Sequence, residues 1–159
     1  MIHETAIIYP NVIIEDNVYI GHNCIIGAKA EHKAFWNKES EYKVIIKSGT
    51  IITGSVTIDS GTERDTIIGS NCFIMKGVHI GHDCIIGNNV TLSPRVLIGG
   101  HSTIGDNTNM GMGSIVHQRV DVPSGCMIGM GTIITKKTEL KEDSCYVGNP
   151  ARYLRSNKR

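Results

Sequence analysis

The chain has 159 residues, enough for one domain or two very small ones, and its charge is nearly balanced, with 16 Lys+Arg against 15 Asp+Glu. A net charge of +1 argues against the basic footprint of a nucleic-acid binder, and no stretch approaches the ~20 consecutive apolar residues of a membrane span. Apolar residues make up 40% but aromatics only 5%, while Gly reaches 18 and Ile, counted along the chain, 25. One β-branched aliphatic therefore supplies the core, in place of the rings that carry much of the burial in most proteins. The opening Met1-Ile2-His3-Glu4 has neither the basic region nor the apolar core of a secretory leader, so a cytoplasmic protein is expected.

In chain order, a period of six organises everything that follows. Ile2, Ile8, Ile14, Ile20 and Ile26 come first, and the spacing resumes at Ile46, Ile52 and Ile58. It resumes again at Ile68 and runs through Ile74, Ile80, Ile86, Leu92, Ile98, Ile104, Met110, Val116, Val122, Ile128, Ile134 and Leu140 to Tyr146. All 22 positions are apolar and 16 are Ile. The residue four places on is always small; Cys24, Cys72, Cys84 and Cys126 all stand there, which reads as small buried hydrophobes. Only Cys145 falls outside that rule, and without a Cys-x-x-Cys pair neither a zinc knuckle nor a redox motif is supported. Three places after the aliphatic, Asn and Gly recur (Asn17, Asn71, Asn107, Gly77, Gly113), as a corner with positive φ requires.

Each hexapeptide is thus one side of a triangular coil, and three hexapeptides close it. The expectation is an all-β fold, a parallel β-helix of roughly seven coils about 33 Å tall at ~4.8 Å per strand. It spans residues 1–146, with a short C-terminal tail at 147–159. Two insertions interrupt it. The larger, at 31–45, holds Phe35, Trp36 and Tyr42; the smaller, at 59–67, surrounds Gly61-Thr62-Glu63-Arg64. The aliphatic steps across them are 20 and 10 rather than 18 and 6, which leaves excesses of 2 and 4. Loops leaving a rigid scaffold are the usual carriers of function.

Coil spacing converts sequence distance into proximity. Residues 18 apart stack, so His82, Gly100, Gln118 and Lys136 form one vertical row. His101 and His117 fall within one position of that row, and His79 lies on the strand leading to it, whereas His3, His22 and His32 are expected far away. Asp83 adjoins His82 and can hold it. Gly99 and Gly100 leave open backbone, whose N–H groups could face an oxyanion. A histidine base suits proton removal from a hydroxyl or an amine.

The segment His79-Ile80-Gly81-His82-Asp83-Cys84, with Gly99-Gly100-His101 and Val116-His117-Gln118, resembles the UDP-N-acetylglucosamine O-acyltransferases of lipid A synthesis. It is also similar to the short nucleotide-sugar N-acyltransferases, which share His-Asp-Cys followed by Ile-Gly repeats. The resemblance implies a left-handed β-helix of the hexapeptide-repeat acyltransferase superfamily, commonly homotrimeric. It implies transfer of an acyl group from acyl-CoA or acyl carrier protein to a nucleotide-activated sugar, with no bound cofactor and no metal. His82 would be the general base, assisted by Asp83, and the Gly100 N–H would face the thioester oxygen. His79, His101, His117 and Gln118 would line the substrate site.

Val56-Thr57-Ile58-Asp59-Ser60-Gly61-Thr62 resembles a family segment that carries His and Arg where this chain has Asp59 and Ser60. A carboxylate in place of cations changes the contact offered to a diphosphate, and it places Asp59 among the substrate-binding candidates. The ending Gly148-Asn149-Pro150-Ala151-Arg152 resembles the turn that closes many acetyltransferase β-helices. From Lys136 onward 7 basic residues face 3 acidic ones, which assigns Lys136, Asn149 and Arg152 to the phosphates of coenzyme A or to an acidic carrier protein. Met112 and Met130, 18 apart at equivalent corners, would block a long acyl groove, so a short acyl group is expected. Three alternatives stay open: a UDP-N-acetylglucosamine O-acyltransferase with an acyl-carrier donor; a zinc enzyme resembling the γ-class carbonic anhydrases through His82, His101 and His117; and a non-catalytic β-helix assembly module.

Overall fold

The computed structural model describes residues 1–158, and among these the only regular secondary structure is β. Twenty-one short strands form three sheets, parallel except for the last strand, that wind as a left-handed β-helix of triangular cross-section. Most strands are two residues long, because one side of the triangle admits little more before the chain must turn. The site lies against the sheet running through Ile7–Ile8, Ile25–Ala28, Thr57–Asp59, His79–Ile80, Leu97–Ile98, Ile115–Val116 and Ile133–Ile134. In that sheet the aliphatics stack in register: Ile26 on Ile58, then Ile80, Ile98, Val116 and Ile134.

Every aliphatic of the six-residue register from Ile20 to Ile134 is buried. The small residues pack at the corners, and many carry a donor for the adjacent coil. Ser102 Oγ donates to the His117 carbonyl, Thr108 Oγ1 to that of Pro123, and Cys84 Sγ to that of Gly99, always 15 residues on. A hydroxyl or thiol there satisfies a backbone acceptor that would otherwise be buried without a partner. The five cysteines are free and buried, Cys145 included; burial pushes the Cys84 thiol up to about 12.

Four features differ from the sequence expectation. Ile2 bridges to Ile20, and Tyr146 pairs with Ile128, so an eighth turn begins after seven complete ones. The step of 20 from Ile26 to Ile46 crosses one corner only, since Ile26 belongs to the second face and Ile46 to the third. It is therefore a six-residue side carrying a 14-residue excursion, not a whole coil with two residues to spare. Strands Val44–Ile46 and Thr66–Ile68 also begin inside the expected insertions and shorten both. Finally, the C-terminal segment is not a separate tail: Arg152–Ser156 runs antiparallel to Ser144–Val147 and extends the first face.

The corners hold a signal that the sequence reading passed over. Most corner residues three places after the aliphatic are Asn or Gly with positive φ, such as Asn71, Asn107, Gly113 and Gly131. On three successive coils of one edge, however, the left-handed positions are Asp83 (φ 62), His101 (φ 62) and Arg119 (φ 59). Left-handed backbone costs a non-glycine residue roughly 1–2 kcal/mol, with Asn and Asp favoured among the exceptions. Strain of this kind persists where the surroundings over-determine it, often at functional sites.

Candidate active site

His82 stands two residues beyond Ile80 on the edge where Asp83 and His101 turn the chain, and it is buried. Its Nδ1 lies 2.6 Å from Asp83 Oδ2. Asp83 has no solvent exposure and is caged by the four-residue excess at 61–64. The backbone N–H groups of Thr62, Glu63 and Arg64 donate to Oδ1 at 2.8–2.9 Å, and the Thr62 hydroxyl donates to Oδ2 at 2.8 Å. Arg64 completes the cage from behind, its Nε donating to the Asp83 carbonyl at 2.7 Å. Gly61 makes the turn possible, since a Cβ there would lie 1.6 Å from the Arg64 carbonyl oxygen.

Burial by itself pushes the Asp83 carboxyl up. The Glu63 N–H, the His82 ring, the Arg64 N–H and the Thr62 hydroxyl outweigh it and hold the group well below the usual carboxylate range. An ionised carboxylate only accepts, so the proton between the two side chains sits on His82 Nδ1. That leaves Nε2 as the lone-pair nitrogen, oriented by a fixed acid as in a Ser-His-Asp triad. The His82 ring lies over Gly100, where an added Cβ would meet Nε2 and Cε1 at 2.7 Å; only glycine leaves the ring that position.

His101 closes the group on the far side. Its Nε2 is 3.4 Å from Asp83 Oδ2, and its ring meets that of His82 edge-on with centroids 5.1 Å apart. Burial pushes the His101 imidazole below its ordinary value; Asp83 opposes this, while Arg119 and His82 add to it. The His82 ring is also met by His32, at 5.4 Å between centroids. That contact corrects the expectation that His32 lies far from the site: the long excursion folds back across the helix, and a loop without period gives no coordinate from which to place it. His32 is held in turn by its own turn, accepting the Ala34 N–H at 3.2 Å, and by Phe35.

His79 and Asp59 form a second pair on the sheet. Thr57 and His79 are register partners, and the Thr57 hydroxyl lies 2.7 Å from His79 Nδ1. His79 Nε2 points toward Asp59 Oδ2, 3.9 Å away. The other candidates are spread along the edge. The row His82, Gly100, Gln118, Lys136 exists as spaced, but Gln118 and Lys136 are exposed, ~10 and ~14 Å or more along the stack from His82 at ~4.8 Å per coil. His117 sits one place before the corner, is exposed, and turns its Nδ1 to the Gln118 carbonyl at 2.9 Å. Met112 and Met130 project from their corners, 52% and 74% exposed. Asn149 and Arg152 are exposed at the end of the stack where the last strand folds back.

Among the described residues the compact donor group is His82, Asp83 and His101, with ligating atoms within 4.8 Å of one another, and His117 is not part of it. Its carboxylate is already filled by backbone N–H groups and by His82, which is the arrangement of an orienting acid.

A left-handed triangular β-helix wound from six-residue units, with a catalytic-type His–Asp pair on one edge, defines a class of hexapeptide-repeat proteins. Residues 1–31 and 65–100 match the family described as bacterial transferase hexapeptide (six repeats), and residues 101–136 match the hexapeptide repeat of succinyl-transferase. The chain belongs to the hexapeptide-repeat acyltransferase superfamily. It is 36% identical over 92 residues to the acyl-[acyl-carrier-protein]–UDP-N-acetylglucosamine O-acyltransferase of Rickettsia conorii, across 52% of this chain and 34% of that protein. It is 32% identical over 80 residues to the UDP-3-O-acylglucosamine N-acyltransferase of Hydrogenovibrio crunogenus, across 46% and 22%. The matched segment spans about a third or less of each of these curated relatives. Among solved structures, UDP-N-acetylglucosamine O-acyltransferase from Acinetobacter baumannii superposes with a TM-score of 0.81 at 28% identity, over 98% of this chain and 74% of that one. The Moraxella catarrhalis enzyme gives 0.80 at 26%, over 99% and 75%. No helix among the described residues is long and apolar enough to cross a membrane.

Proposed function

We propose that the protein is an acyltransferase that moves a short acyl group from an acyl thioester, of CoA or acyl carrier protein, to an amine or hydroxyl of a nucleotide-activated sugar. The observation that carries this reading is the His82 Nδ1–Asp83 Oδ2 contact of 2.6 Å inside a cage that keeps Asp83 ionised. His82 Nε2 takes the proton as the acceptor attacks the thioester carbonyl, and the same proton returns to the leaving sulfur. The Gly100 N–H faces the developing oxyanion. His79, His101, His117 and Gln118 position the substrates. Lys136, Asn149 and Arg152 meet the donor's phosphates or carrier, and Met112 and Met130 limit the chain. Both relatives' names give a UDP-sugar acceptor, and one gives acyl carrier protein as the donor, which supports this reading.

The active form in this reading is a cytoplasmic homotrimer. Tyr19, Ile51 and Phe73 are register partners on the outside of one sheet and each is 37–40% exposed, an apolar row that copies of the chain would cover. The test is a thioester screen. Acetyl-, hydroxyacyl- and long-chain donors on CoA and carrier protein are offered with UDP- and dTDP-sugars, with His82→Ala as control and light scattering for the assembly. Turnover that survives in His82→Ala would sink the base assignment, and turnover confined to long-chain carrier donors would sink the short-chain preference.

A further inference from the structure

Two carboxylates are buried on this edge, and their surroundings are opposite. Asp83 is saturated with donors. Asp59 is 6% exposed, and no side chain among the described residues stands within hydrogen-bond distance of its carboxylate, His79 Nε2 stopping at 3.9 Å. The backbone N–H of Glu31 is turned to the group. Burial pushes the Asp59 carboxyl up and the Glu31 carboxylate adds to this, against the pull of His79, the Glu31 N–H and His82. A carboxylate so placed has room for a charged donor.

A charged donor has somewhere to come from. Asp59 lines a cleft of about 370 Å³ between the sheet and the long excursion, walled by Tyr9 and Trp36 and shared with Glu31, Lys29, Thr57 and His79. Lys29 does not serve as the partner, because its ammonium lies over the Trp36 ring, 5.6 Å from the centroid. The cleft thus offers aromatic faces for a sugar or base and two carboxylates, of which Asp59 has no side chain at hydrogen-bond distance. His79 connects it to the reaction edge, three residues from His82 on the same strand turn.

Building on the acyltransferase reading above, we infer that Asp59 selects an acceptor carrying a free amino group, so that the protein N-acylates an amino sugar. On entry the acceptor's ammonium donates to the Asp59 carboxylate, a charge-assisted bond that a hydroxyl cannot match. The ammonium then gives one proton to solvent. The nitrogen lone pair attacks the thioester carbonyl carbon while Asp59 keeps one of the remaining N–H groups. His82 Nε2 removes the second proton from nitrogen, the C–S bond breaks, and His82 returns that proton to the departing thiolate. The products are an amide, a free thiol and one proton in solution.

The experiment is calorimetric binding to the full chain as His82→Ala, which removes turnover. The probes are UDP-sugars with an amino group at C2, C3 or C4, each against its hydroxyl counterpart. The expected result is at least tenfold tighter binding of one amino sugar, with the preference abolished in Asp59→Asn while thermal unfolding shows that variant still folded. Equal binding of each pair, or a preference that survives Asp59→Asn, overturns the assignment, and so does binding of none of the probes. Selective binding with no N-acylation by the unsubstituted protein under any thioester would leave amine recognition standing and overturn the acyltransferase reading.

Discussion

Replacing Asp83 by Asn tests the centre of the site, and the geometry fixes what the substitution must do. The amide has one acceptor oxygen and an NH2 with two N–H donors, and the position facing Oδ1 is surrounded by the N–H groups of Thr62, Glu63 and Arg64, none of which can reverse its role. The Asn carbonyl is therefore forced onto that side. Its NH2 then faces the Thr62 hydroxyl and His82 Nδ1, at 2.8 and 2.6 Å from the original oxygen. The hydroxyl can turn and accept. His82 can accept only by giving up its Nδ1 proton, and the neutral ring then carries the proton on Nε2. The variant should fold, because its hydrogen bonds are re-satisfied, but with the wrong tautomer for a base. The rate of acyl transfer should fall about 10³–10⁴-fold, as expected when an orienting acid is made neutral. Loss of the charge from the bonds to the 62–64 backbone should cost about 3–5 kcal/mol of stability at pH 7. A carboxyl held below its unfolded pKa contributes stability above that value, about 3.9, and loses it as pH falls toward the folded one. The difference between the two proteins should therefore shrink below about pH 4. Nitrogen NMR of the His82 ring reads the tautomer directly, and urea titrations across pH read the stability. A variant whose His82 still carries its proton on Nδ1, with an unchanged rate, would refute the reasoning.

Three further outcomes follow from single contacts. Gly61→Ala should destabilise by about 2–3 kcal/mol in urea unfolding, since its Cβ would sit 1.6 Å from the Arg64 carbonyl oxygen and open the cage round Asp83. Ser114 and Thr132 carry buried hydroxyls without a partner, so Ser114→Ala and Thr132→Val should be neutral or stabilising by up to about 1 kcal/mol in the same assay. A clear loss for both would mean those hydroxyls are bonded. Asp59 has a raised pKa, so its contribution to stability is complete below the unfolded value and is lost as pH rises through the folded one. Asp59→Asn should accordingly melt higher than the unsubstituted protein at pH 7, and the advantage should vanish below about pH 4, as followed by calorimetry; a lower melting point at pH 7 would contradict it.

The core was open to reading because every hexapeptide states its own phase: an aliphatic, then a small residue four places on. Burial from Ile20 to Ile134 follows that pattern position by position. What spacing cannot give is the number of sides a loop crosses. A step of 20 is compatible with a whole coil and two residues, or with one side and 14, since a non-periodic loop carries no phase; the placement of His32 was lost for that reason. The cage at 61–64 was visible as an excess of four residues, but backbone N–H groups leave no mark in a sequence to show which carboxylate they serve. The corner rule did hold usable information. Ser55, Arg95 and Asp143 depart from Asn or Gly singly at other corners, whereas Asp83, His101 and Arg119 do so on three consecutive coils of one edge, and that run marks the site without any histidine count.

Those exceptions also bear on how the site can exist. In a solenoid each coil is held mainly by its neighbours, so stability accumulates along the stack and a local penalty is carried by the coils on either side. Three left-handed corners at roughly 1–2 kcal/mol each, together with two buried carboxylates, would threaten a small domain with one compact core. Here the three stack on one edge, while the aliphatic ladders beneath them continue unbroken through Ile80, Ile98 and Val116. The two acids divide the chemistry through their environments, a pattern that assigns roles to paired titratable groups. Five donors make Asp83 a permanent anion that orients His82. The absence of a side-chain donor at hydrogen-bond distance makes Asp59 a group whose charge is stabilised best when a cationic partner arrives from outside, which is the condition a specificity determinant has to meet.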